Sequence, residues 1–320
     1  MKLRARISRL RENTAELMSA WFKFQEIWKA GAYTTFKDYD TYLVLIYLAH
    51  KTFQGYGKRF IYFSKDDIYK RNELIIDKIN LIDISLDLGI PKETIRRKIN
   101  ELQERNILQR KGKSIILTSW SNKIKNPTIA LESFTYFLSK FSVVLSKQVW
   151  FGDALSKEKI EKFTNKHFTI CWSHFLDMQI NSMIRSRKIF GDLETWHIWS
   201  IILLNQTHYL YKSLTGDIFS NKKIDQKNYY ESIMLQKVSY GVNASSIADV
   251  SNIPRATVIR KLKQLIKDKL VKRNQKSEYF LDDKGRINKR IKKENEKLFK
   301  EISIFVTTFF NLMKKSNFQA

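Results

Sequence analysis

The start of the chain carries apolar side chains at a seven-residue interval. Leu3, Leu10, Leu17 and Phe24 hold one heptad position, and Ile7, Thr14, Trp21 and Trp28 hold another. That spacing predicts a long helix, either in a coiled coil or docked on a core. Further on the period shortens to two small helices. Leu81, Ile84 and Leu88 make one apolar face that ends at Gly89, which enters a left-handed turn without a Cβ penalty. Ile95, Ile99 and Leu102 recur at i, i+4 and i+7, opposite Glu93, Arg97, Asn100 and Glu104. The segments ILQRKG and KSIILT then read as two strands around a basic turn, Lys111-Gly112-Lys113. Two apolar helices follow at 131–149 and 295–315. Their stripes include Phe134, Leu138, Phe141 and Ile302, Phe305, Phe309, and each is expected to pack on the first helix of its own half.

The small-helix pattern occurs twice. The stretch Ile84–Thr118 aligns with Ile247–Leu281 at an offset of 163 without a gap. Identities include Ile90/Ile253, Pro91/Pro254, Thr94/Thr257, Arg97/Arg260, Lys98/Lys261, Leu102/Leu265, Arg110/Arg273 and Ser114/Ser277. Upstream, Phe36, Asp38 and Thr41 match Phe190, Asp192 and Thr195 at an offset of 154. The difference places a nine-residue insertion between Ile201 and Ile247 of the second copy. The chain thus divides into modules 1–150 and 151–320, joined near 151–159. The three prolines, Pro91, Pro127 and Pro254, all read as helix-starting residues.

Composition narrows the functional classes. The 320 residues include 58 Lys+Arg against 32 Asp+Glu, a net charge of +26 that calls for a polyanionic partner. One cysteine, Cys171, excludes a disulfide framework and a four-cysteine zinc site. No glycine-rich nucleotide loop and no apolar run of membrane-spanning length stands out. His167, Cys171 and His174 share one helical face, but the first and last lie ~10 Å apart along it, too far for one ion. No catalytic motif appears, so an enzyme is the least supported class and no cofactor is expected.

The repeated stretch resembles the winged helix-turn-helix domains of bacterial transcription regulators. The closest likeness is to the recognition helix of the catabolite activator family, basic–Glu–Thr–Val–x–Arg. Here it reads Lys92-Glu93-Thr94-Ile95-Arg96-Arg97, and in the second copy Arg255-Ala256-Thr257-Val258-Ile259-Arg260, without the Glu. The likeness covers about 35 residues in each copy. It implies a mainly α fold, two tandem winged helix-turn-helix modules with small β-wings and long flanking helices. It also implies double-stranded DNA as partner.

On that resemblance, Lys92, Arg96, Arg97, Asn100, Arg255, Arg260 and Lys263 face base edges or phosphates. Glu93 can accept from cytosine N4. Thr94 and Thr257, in the first helical turn, can hold a phosphate. Lys111, Lys113, Arg273 and Lys276 on the wings are phosphate or minor-groove contacts. Each has a plainer reading: charges on a solvated helix face, basic surface turns, threonines that only shape a capping turn. Ile259, opposite Arg96 in the alignment, serves either a thymine methyl or packing.

The expected role is sequence-specific transcriptional regulation by a covalent pseudo-dimer, in the cytoplasm at the nucleoid and without membrane contact. Alternatives are a plasmid-type replication initiator and a winged-helix protein-interaction scaffold. The heptad face also offers a homodimer contact through Leu3, Ile7, Leu10, Leu17 and Trp21. Charge is uneven: eight basic against four acidic residues in Ile84–Thr118, and nineteen against eight in Asn243–Lys315. The second module is expected to supply more phosphate attraction and the first more discrimination.

Overall fold

The computed structural model describes residues 2–71, 73–76, 79–111, 114–118, 128–146, 153–216, 226–234, 241–282, 284 and 288–316. Among them the chain is mainly helical, with five short strands. The heptad segment is two helices, α1 (Lys2–Glu12) and α2 (Thr14–Phe36). They break at Asn13, whose side-chain amide turns back to donate to the Arg9 carbonyl. Leu10, Leu17, Trp21 and Phe24 are all buried inside the chain, and Ile7 is half-buried. That seam is therefore occupied by the protein's own core; the Leu3 side chain lies outside the described residues.

The core is one continuous cluster running from Leu10 to Met313. α2 packs on α7 (Thr128–Ser146), where Phe24 stacks on Phe137 with ring centroids 5.7 Å apart. In the other half α9 (Phe168–Phe190) packs on α14 (Asn288–Lys315). The halves also cross. α3 (Tyr39–Lys58) lies along α9, and α2 lies along α10 (Leu193–Gly216). Each half thus closes its apolar faces on helices of the other. α7 corrects one expectation: its window Ile129–Ser146 is apolar and long enough to span a membrane, although 56% of it is buried on this core. The connector also ends sooner than expected, at Ser156, which caps α8 (Lys157–Lys166).

The small elements complete each half. The first has α4 (Lys65–Lys70), β1 (Leu74–Ile76), α5 (Leu81–Leu88), α6 (Lys92–Glu104), β2 (Leu108–Lys111) and β3 (Ser114–Leu117). The second has α11 (Gln226–Met234), α12 (Ala244–Ser251), α13 (Arg255–Lys267), β4 (Val271–Arg273) and β5 (Tyr279–Leu281). Positions 163 apart do the same work. Asn80 caps α5 by accepting from the Asp83 amide at 2.8 Å, and Asn243 caps α12 from Ser246 at 2.9 Å. Gly89 and Asn252 end those helices in the left-handed region, at φ 63° and 59°. Pro91 and Pro254 stand at the cap itself, one place ahead of the expected first helical position, with φ −53° and −52°. Pro127 lies outside the described residues.

The ribbons depart from the ungapped alignment. In the first half Lys111 pairs with Ser114, and β1 adds to β3 in the order β1-β3-β2. In the second half Arg273 pairs with Tyr279 across a five-residue turn, one residue more than separates the corresponding pair Arg110 and Ile115. Ser277 sits in that turn at φ 64° and is not the partner of Ser114 in register. Among the described residues the third strand there is one bridge, Val242 to Tyr279.

Candidate nucleic-acid interface

α6 and α13 are amphipathic helices whose inner faces are fixed by Ile95, Ile99, Leu102 and by Val258, Leu262, Leu265. Each is also clasped to the long helix behind it. Asp38 caps α3 by accepting from the Thr41 amide at 2.6 Å, and Lys98 of α6 reaches the same carboxylate at 3.1 Å. Asp192 caps α10 by accepting from Thr195 at 2.8 Å, and Lys261 of α13 pairs with it. Burial opposes both carboxylates, but the threonine hydrogen bonds and the lysine partners outweigh it and hold each below the usual range. Lys98 is likewise raised: Glu101 and Asp38 overcome its desolvation. These lysines and aspartates stand out in the sequence only as repeat identities, with no role attached.

The outer faces carry the expected readers. Lys92, Glu93, Arg96, Arg97 and Asn100 are exposed and Thr94 is half-buried. Glu93, Thr94, Arg96, Arg97 and Asn100 line one open depression, so five of the expected residues share a surface. That surface is partly neutralised from within. Arg96 pairs with Glu93 at 2.5 Å, and Arg97 stands 3.9 Å from Glu101. On the ribbon Lys111 pairs with Glu73 at 3.5 Å; Lys113 lies outside the described residues.

The second face is built differently. Arg255, Arg260 and Lys263 are exposed and Thr257 is half-buried. Arg255 donates to Ser245 at 3.1 Å, a neutral partner. Among the described residues Arg260, Lys263 and Lys276 form no ion pair. Arg273 donates to Ser277 at 2.6 Å and lies over the Tyr279 ring. Ile259 is half-buried and packed against the core, which favours its packing role. Arg110, exposed on β2 at the place of Arg273, belongs with these cations; its repeat identity was the available signal.

The cysteine–histidine face offers no comparable arrangement. Cys171 is buried, which pushes its thiol well up, while His174 is exposed. No family model matches the chain, no curated protein matches it, and no solved structure matches it.

Proposed function

We propose that the chain is a tandem winged-helix DNA-binding protein that regulates transcription. In this reading the two halves are copies of one module, related by a pseudo-two-fold axis, and α6 and α13 are the helices that enter successive major grooves. Such grooves lie ~34 Å apart on one face of the duplex. The observation that carries the reading is the repeated construction: a capped helix pair, a left-handed turn, and a second helix whose outer face is cationic, followed by a ribbon. The net charge of +26 supplies the long-range attraction. Because the two outer faces differ, the preferred site is asymmetric.

The test is titration of the full chain with a labelled duplex over a salt series, followed by binding-site selection. The expected result is a steep loss of affinity with salt, each neutralised phosphate adding about 0.9 to the log–log slope, and an asymmetric consensus. Reversal of Arg97 and Arg260 to Glu is expected to abolish binding. Flat salt dependence, or wild-type binding by the double reversal, overturns the reading in favour of a protein-interaction role. A perfectly palindromic consensus retains DNA binding but overturns the pseudo-dimer.

A further inference from the structure

The short helix α5 is apolar on two faces. Ile84 and Leu88, one turn apart, are buried in the core. Ile82 and Leu86, also one turn apart, lie on the outside at 52% and 75% exposure. A helix that is apolar all round is normally covered all round. The second half shows that the fold does not require this outer face. The positions 163 further on are Ser245 and Asp249, both exposed on α12. That comparison rests on pairing the halves, as proposed above.

Leu86 borders an open groove of about 500 Å³ between α5 and the C-terminal half of α3, with Ile76 and Ile79 beside it. Where α3 ends, Phe60 stands in the left-handed region at φ 58° and is 85% exposed. Its amide donates to the Gly57 carbonyl at 3.0 Å, and the Ile61 amide to that of Tyr56 at 2.9 Å. Glycine is the usual residue at such a helix end, and here it is an aromatic ring held out to solvent. Among the described residues eleven large apolar side chains are exposed, and six of them fall between Phe60 and Leu86. Such concentration marks an interaction surface, whereas single exposed apolar residues need no explanation.

Charge selects what covers it. The α3 wall of the groove is basic, with Lys51, Lys58 and Arg59, and the α5 wall is acidic, with Asp83 and Asp87. Lys51 and Asp87 pair at 3.2 Å. Lys58 and Asp83 form no ion pair among the described residues. The chain's net charge of +26 opposes self-association, but this groove is near balance. A nucleic acid or an anionic lipid surface would meet the aspartates as well as the lysines. A basic wall opposite an acidic one is instead complementary to itself. A two-fold axis along the groove sets each wall of one chain against the opposite wall of the other. We propose that α5 and this groove form a two-fold interface with a second copy of the chain. Lys58 of each copy pairs with Asp83 of the other, and Ile82 and Leu86 supply the apolar centre.

The test is sedimentation equilibrium of the full chain over a micromolar concentration series, with circular dichroism to check that each variant folds. The wild type is expected to pass from 38.1 kDa to twice that mass. Ile82→Ser combined with Leu86→Asp installs the residue types of the second half and is expected to hold the chain at the single mass with its helix content intact. Lys58→Glu or Asp83→Lys alone sets like charges together and is expected to weaken the dimer at least tenfold. The two changes combined exchange the charges of the walls and are expected to restore most of that loss. A chain that stays single throughout, or a dimer indifferent to the Ile82 and Leu86 changes, overturns the proposal. Failure of the charge exchange to restore affinity overturns the two-fold arrangement. Should the wild type stay single, the same apolar variant reassigns the face: to a lipid surface if it releases the chain from phosphatidylglycerol vesicles, to nucleic acid if it weakens duplex binding. The mass measurement involves no DNA, so its failure is distinct from failure of the regulatory reading.

Discussion

The side-chain amides of Gln25 and Gln179 bond to each other reciprocally, each donating to the other's oxygen at 3.0 Å. Both residues are buried, at 4% and 1% exposure, and they lie 154 positions apart, the offset of the upstream repeat. A pair that is its own image marks the place where the proposed axis crosses the core. Replacing one member strands the buried N–H and the oxygen of the other. Gln25→Leu or Gln179→Leu is expected to cost about 1–3 kcal/mol in urea unfolding. The double variant, with an apolar pair of similar shape, is expected to cost less than the sum of the two. Strict additivity would show that the amides act independently.

On the proposed function, the outer faces of α6 and α13 are expected to respond differently to charge changes. Arg260→Ala and Lys263→Ala each remove a cation without an ion pair among the described residues, and each is expected to lower the salt slope of DNA binding by about 0.9. Arg96→Ala removes a cation already paired with Glu93 and is expected to lower it by less. Glu93→Gln, which frees Arg96, is expected to raise non-specific affinity. Equal slopes for all three alanine variants would refute this division of labour.

Cutting the clasps separates placement from contact. Lys98→Ala and Lys261→Ala touch no outer face, yet they release α6 and α13 from the caps behind them. Each is expected to cost about 1.5–3 kcal/mol of stability, as for a hydrogen bond to a charged group. Base preference on the affected side is expected to blur. Unchanged preference in a stable variant would show that the clasp only stabilises.

Stability is expected to fall at both ends of the pH range, for opposite reasons. Burial alone would raise Glu26, but Lys29 and His197 outweigh it and its pKa is lowered to about 2. Asp38 and Asp192 are lowered as well. Their contribution is complete above the ordinary carboxylate pKa of about 4 and is lost as pH falls toward 2. Glu194 behaves in reverse: burial first, then Asp192 and Asp38, push it up to about 7. The folded state then holds a proton that the unfolded state has released, so stability declines as pH rises from about 4 to 7. Thermal melts of Glu194→Gln are expected to lack that decline and to exceed wild type above pH 7; parallel curves would remove Glu194 as its source.

Much of this was legible in the sequence. The period of Ile95, Ile99 and Leu102 shows the buried face of α6 directly, and Gly89 shows the left-handed turn that ends α5. Identities such as Lys98/Lys261 and Asp38/Asp192 were visible, yet a lysine on one helix and an aspartate on another announce no pairing until the helices are placed. Gln25 and Gln179 also match at the 154 offset, but two glutamines in a sequence do not announce that they bond to each other. Period tells which face is buried but not what covers it, so the crossing of α2 onto α10 and α3 onto α9 could not be read. The heptad of Leu3–Trp28 ran unbroken through Asn13 because the break depends on a single side chain turning back to Arg9. The extra residue in the second ribbon was hidden by identities that continued across the turn.

The crossed helices also govern how the chain comes to be folded. Trp28 and Phe134 of the first half stack on Trp172, and Phe24, Trp28 and Phe134 all contact Phe175. During synthesis the first half leaves the ribosome before α9, whose Trp172 and Phe175 meet that aromatic surface in the folded chain, has been made. Native contacts that bridge more than a hundred residues pay their loop entropy before they return any stability. A nascent chain paused ahead of α9 therefore presents those rings to any apolar surface it meets.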